Sequence, residues 1–187
     1  MDRLSRLALD AVAGDAEAGE QLVRESYPDV WRLCATLVDR RSADDLAQET
    51  FSRAFRGLAG YRGDSSVRTW LLSVTRHTCI DELRSRRRRR RHQAPWSAVD
   101  PDHQLLSPDA SHKSTVGDLL ARLDPDRRAA FVLTQHLGLT YAEAGVVCDC
   151  PAGTIRSRVA RARAELVDLL ADTPAERTGE RRRSSPA

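Results

Sequence analysis

The chain has 187 residues, 41% of them hydrophobic and 30% charged, with a net charge of +3. That is the composition of one or two folded domains, and it excludes wholesale disorder. No run approaches the ~18 apolar residues of a membrane span, and the N-terminus MDRLSRLALDAVAGDAEAGE lacks a signal-peptide core, so the expected place is the cytoplasm, without membrane insertion. The basic residues are nearly all arginine, Lys113 being the one lysine, and arginine grips phosphate through a planar fork. Cys34, Cys79, Cys148 and Cys150 are too few and scattered for a disulfide framework. The C-x-C pair of Cys148 and Cys150 lacks the C-x-x-C spacing and paired histidines of a zinc site, so small semi-buried cysteines are expected, and no metal.

Almost every segment has helical period and none alternates like a strand, so the fold class is all-α: two helical domains joined by a flexible linker. Leu4, Leu7 and Ala8 begin a first amphipathic helix, broken at Gly14-Asp15, where Asp15 is a good N-cap. A second helix is expected to about Tyr27, where Pro28 intervenes, and Val30, Trp31, Cys34, Leu37 and Val38 form a further stripe. Ser42 is expected to cap the next helix, with Asp44 and Asp45 complementing its macrodipole. That helix turns Leu46, Phe51, Ala54, Phe55 and Leu58 inward and Asp45, Gln48, Glu49, Ser52 and Arg53 outward. The outward face has two readings: a solvated surface, or metal-binding carboxylates from Asp44, Asp45 and Glu49. No histidine or further acid is placed to complete a metal site.

GLAGYRGDSS (57–66) reads as a loop, and Ser65 or Ser66 caps a long helix containing Val67, Trp70, Leu71, Val74 and Leu83. This helix ends in six consecutive arginines, Arg86 to Arg91, which suit a polyanion surface. Residues 92–114 are rich in Pro, Ser and Asp and read as the linker. Val116, Leu119, Leu120 and Leu123 start a second helical unit, and Asp124-Pro125 is an N-cap followed by proline. A helix through Ala129, Val132, Leu133 and His136 ends at Gly138.

The stretch LTYAEAGVVCDCPAGTIRSRVARARAEL (139–166) then reads as two helices joined by a tight turn. Thr140 and Glu143 form a capping box, Cys148 to Cys150 make the turn, and Pro151 suits the first position of a new helix. Ile155, Val159, Ala162 and Leu166 form its apolar stripe. The other side carries Arg156, Ser157, Ala160 and Arg161, flanked by Arg158 and Arg163. Small and cationic residues at the front of a second helix suit a major-groove reader: small side chains let the backbone approach, and arginine holds guanine edges or phosphates. The tail, 172–187, is polar and expected to be disordered.

Two linked stretches resemble a known family. SADDLAQETFSRAF with YRGDSSVRTWLLSVTRHTCIDELRSRRR, and LDPDRRAAFVLTQHLGLTYAEAGVVCDCPAGTIRSRVARARAEL after the linker, resemble regions 2 and 4 of bacterial sigma-70-family factors of the extracytoplasmic-function (ECF) class. The second half also resembles the sigma-C-like subgroup. The resemblance implies region 2 over 1–91, the linker over 92–114 and region 4 over 115–171. It implies a promoter-specificity subunit, not an enzyme, without catalytic residues or cofactor, whose partners are RNA polymerase core and promoter DNA. Asp45, Gln48 and Glu49 fall at positions that meet the β′ clamp helices, and helices of region 4 meet the β flap. Ser65, Ser66, Arg68, Arg76, His77, Asp81 and Arg84 fall in the part that opens and reads the −10 element, where a base is flipped into a pocket. Many members have Asn where this chain has His77, whose donors differ. Arg156, Ser157, Ala160 and Arg161 fall at positions that read the −35 element. An anti-sigma factor is a further partner that the family brings into question. The rival readings are a stand-alone helix-turn-helix transcriptional regulator, and a nucleic-acid enzyme using the acidic cluster.

Overall fold

The computed structural model describes residues 2–61, 65–93 and 116–171, and among these the regular structure is wholly helical. The linker beyond Gln93 and the tail beyond Ala171 lie outside the described residues.

The first half is built from four helices. α1 (Arg3–Val12) starts at Asp2, whose carboxylate accepts from the Ser5 amide, and ends before Gly14, which sits at φ +100°. That left-handed backbone is cheap only for glycine and turns the chain sharply into α2. α2 (Ala16–Leu37) is capped by Asp15, which accepts from the Ala18 amide. It runs straight through Pro28, contrary to the expected break at Tyr27. Pro28 and Arg24, whose carbonyl loses its donor, are both exposed, on the side of the helix open to water, while buried Leu22, Ser26, Val30, Leu33 and Cys34 hold the helix together.

α3 (Ala43–Leu58) follows, but Ser42 makes no side-chain cap. Its hydroxyl instead accepts from Arg86 Nη2 at 2.6 Å, while its own amide donates to Asp39. An arginine from far along the chain has outcompeted the local cap. α4 (Val67–Gln93) starts at Ser66, whose Oγ accepts from the Thr69 amide at 3.1 Å, as expected of a cap there. The stripes of α2, α3 and α4 meet in a core of Val30, Leu33, Leu46, Phe51, Leu71 and Leu72.

The second half holds α5 (Val116–Arg122), α6 (Pro125–Phe131), α7 (Tyr141–Cys148) and α8 (Ala152–Ala171). Asp124 caps α6, accepting from the Asp126 and Arg127 amides. A π-helical turn, Val132–His136, prolongs α6 before Gly138 at φ +69° ends it. The two halves do not stand apart. α4 packs on α7, and α2 on α5 and α6. Buried Leu33, Leu37 and Cys79 belong to the same continuous core as Leu123, Leu133 and Ile155.

Candidate nucleic-acid interface

The helix-turn-helix is held by local chemistry. Thr140 Oγ1 accepts from the Glu143 amide, and the Glu143 carboxylate takes the Thr140 amide at 2.8 Å and its hydroxyl at 2.7 Å. The Thr140 amide, then its hydroxyl, hold the Glu143 carboxyl below its ordinary pKa. Asp149 ends α7 in the left-handed conformation at φ 53°, which aspartate tolerates better than most residues. Gly145 lets the turn close: a Cβ there would stand 2.7 Å from the Cys150 carbonyl oxygen. Pro151 sits one place earlier than expected, as the cap whose carbonyl accepts from the Thr154 and Ile155 amides.

α8 then divides by face. Ile155, Val159 and Ala162 are buried. Arg156, Ser157, Ala160 and Arg161 are all exposed, and they share the opposite side. The flanking arginines are tied down: Arg158 reaches Asp126 at 2.6 Å, and Arg163 donates to Gln135 at 2.6 Å. The structure therefore groups the four residues expected at the −35 element and leaves two cations on one helix face without a partner among the described residues.

Cys148 is buried, which pushes its thiol up to about 11, so it stays protonated and inert. Cys150 accepts from Arg158 Nη1 at 3.5 Å.

In the first half, Asp45, Gln48 and Glu49 are exposed on α3. Asp44 is not part of that face, since it accepts from the Tyr27 hydroxyl at 2.6 Å and the Trp31 indole at 3.1 Å. Glu49 pairs with Arg53 at 2.7 Å. Two of the three acids weighed as metal ligands, Asp44 and Glu49, thus serve different neighbours, and among the described residues no group of His, Cys, Asp and Glu is placed to hold a metal.

The seven residues expected at the −10 element lie on or just before α4, and the structure separates them. His77 and Arg84 are exposed. Asp81 is bound by Arg53 at 2.7 Å. Ser65 and Ser66 are half-buried, and the Ser65 carbonyl accepts from the Tyr61 hydroxyl. Arg68 pairs with Asp29 at 2.7 Å and donates to the Leu137 carbonyl of the second half at 2.6 Å. Arg76 reaches Asp126 at 3.3 Å. Arg68 and Arg76 therefore both reach the second half, Arg76 largely covered and Arg68 still partly open to solvent. Sequence reasoning missed Asp126, which joins Arg76 of α4 to Arg158 of α8. As an acid in the first turn of α6 it reads only as a complement to the helix dipole.

Comparison with known proteins decides what this arrangement is. The family model for Sigma-70 region 2 matches residues 22–89, and that for Sigma-70 region 4 matches residues 114–166. The ECF RNA polymerase sigma factor SigC of Mycobacterium tuberculosis is 44% identical over 95% of this chain and 96% of its own. The chain belongs to the sigma-70 family of sigma factors, in the ECF class. The RNA polymerase sigma-H factor of Pseudomonas aeruginosa is 34% identical over 83% of this chain and 86% of its own. Among solved structures, CnrH in complex with the cytosolic domain of CnrY matches with a TM-score of 0.71 at 26% identity, covering 92% of this chain and all of that one. RpoE of Bartonella quintana, in complex with the anti-sigma factor NepR, matches with a TM-score of 0.67 at 28% identity, over 83% of this chain and 98% of that one. As an ECF sigma factor, the chain directs promoter-specific initiation of transcription, with RNA polymerase core and promoter DNA as its partners. No described helix is long and apolar enough to cross a membrane.

Proposed function

We propose that the sigma factor divides its work among three surfaces. Asp45, Gln48 and Glu49 dock on the β′ clamp helices, and the helices around α8 meet the β flap. Ser65, Ser66, Arg68, Arg76, His77, Asp81 and Arg84 serve the −10 element. Arg156, Ser157, Ala160 and Arg161 read the −35 element in the major groove. The chain acts in the cytoplasm by binding alone, with no catalysis of its own. The exposed, small-and-cationic front of α8 behind a capped helix-turn-helix carries this reading. An anti-sigma protein is a natural further partner, since related factors were solved with such proteins bound.

The packing of α4 on α7 adds a step. With Arg68 and Arg76 engaged by the second half, the free chain rests closed, and docking on polymerase draws region 4 away from α4. Two promoter sites then become available on one tethered frame and reinforce each other through effective concentration. Purified protein added to core polymerase on genomic promoter fragments should produce new start sites that depend on both elements. If the two do not co-purify and no new start sites appear, the reading fails. Specific binding of the free protein to a palindrome as a dimer would favour the stand-alone regulator instead.

A further inference from the structure

A second basic feature lies away from both promoter-reading sets. Where the C-terminal parts of α2 and α4 meet the start of α6, there is a small cleft of about 40 Å³. Its apolar wall is Leu37, Val38, Leu83 and Pro125. Its polar lining is three arginines: Arg86 and Arg90 from the first half and Arg128 from the second.

These cations are not equivalent. Arg86 is already balanced, by Asp39 at 2.5 Å and Glu82 at 2.6 Å. Arg90 is exposed and makes no ion pair among the described residues. Arg128 is only 5% exposed, yet no carboxylate pairs with it among the described residues. Its two terminal nitrogens donate to backbone carbonyls, Nη2 to Ala121 and Leu123 and Nη1 to Thr36 at 3.4 Å. Its buried Nε has no partner among the described residues. Burial pulls its guanidinium below the ordinary arginine pKa, with Asp124 opposing. A buried cation held only by neutral carbonyls, with a donor left over, is an unusual arrangement, because a buried charge ordinarily finds a counter-charge.

We infer that this cleft binds a small phosphate-bearing anion, gripped between Arg90 of the first half and Arg128 of the second. Cations converging from separate helices suit a tetrahedral dianion better than a carboxylate, which a single arginine fork satisfies. Because the two grips belong to different halves, the ligand binds only where α4 and α6 are together, and it favours the closed chain by its differential affinity.

The free full-length chain tests this without polymerase or promoter, so the outcome is independent of how promoters are read. Inorganic phosphate and a nucleoside monophosphate are titrated separately and followed by phosphorus NMR. Saturable binding is expected, weakened about tenfold or more by Arg90→Gln and by Arg128→Lys, the loss of one charge-assisted contact. Phosphate binding at least as tight as the nucleotide's assigns the site to the free phosphate group, and markedly tighter nucleotide binding overturns that assignment. Arg88→Gln, in the same arginine run but outside the cleft, should bind as the parent does. Arg90→Gln keeps the test decisive if Arg128→Lys does not fold. Absence of saturation, or an equal loss in Arg88→Gln, overturns the inference, the latter because it reveals only a diffuse field of arginines.

Discussion

Arg76 and Asp126 are 50 residues apart in the chain and 3.3 Å apart in the fold. Arg76 belongs to the set expected at the −10 element, and Asp126 also holds Arg158 of α8, the helix proposed to read the −35 element, at 2.6 Å. One carboxylate thus restrains a residue from each promoter-facing half. Asp126→Ala should loosen the closed chain and tighten binding to core polymerase. Partly exposed ion pairs contribute up to about 1 kcal/mol, so the gain should be about fivefold at most. Fluorescence anisotropy of labelled protein titrated with core reads it. Unchanged or weaker binding would show that closure does not depend on this carboxylate.

Arg161 is exposed on the front of α8, with no partner among the described residues. If it holds a guanine edge, Arg161→Ala should cost about 1–3 kcal/mol at promoters with the preferred base and far less where that base is changed. Transcription from a panel of −35 variants distinguishes this from a phosphate contact, which would cost the same at every promoter.

Gln48→Ala combined with Glu49→Ala removes two of the three groups assigned to clamp docking. Arg53 keeps its bond to Asp81, so the helix should stay in place. Core affinity should fall while circular dichroism and melting remain close to the parent. Unaltered affinity would move the docking surface elsewhere on region 2.

Gly145→Ala would place a Cβ 2.7 Å from the Cys150 carbonyl, a backbone atom that cannot step aside cheaply. Overpacking of this kind costs about 1–3 kcal/mol. The variant should melt several degrees lower and lose −35-dependent transcription, because the turn sets the angle of α8. A variant that melts and transcribes like the parent would show that the turn adapts.

The capping box gives a pH signature. Thr140 holds the Glu143 carboxyl below its ordinary pKa in the folded chain. Its contribution to stability is therefore complete above the ordinary glutamate value and is lost as pH falls through the lowered one. Glu143→Gln should lose stability at neutral pH and flatten part of the acid dependence. Parallel melting curves against pH for parent and variant would remove the cap from the account.

Much of this molecule is decided by the sequence alone, because its determinants are local. Apolar residues at helical spacing set the helices, Asp15, Asp124 and Thr140 set three of their starts, and the Ile155 stripe fixes which face of α8 is buried. By the same periodicity, Arg156, Ser157, Ala160 and Arg161 had to be exposed once that stripe went inward. Pro28 and Ser42 mark where local rules fail. The proline is carried by long-range burial along α2, and the serine hydroxyl is captured by Arg86. Only the tertiary structure decides that α4 lies against α7, that Arg68 and Arg76 reach the second half, and that Arg128 is buried without a counter-charge among the described residues. Those facts depend on pairs tens of residues apart, across a linker whose composition carries no register. Periodicity states which side of a helix is buried; it is silent on which other helix buries it.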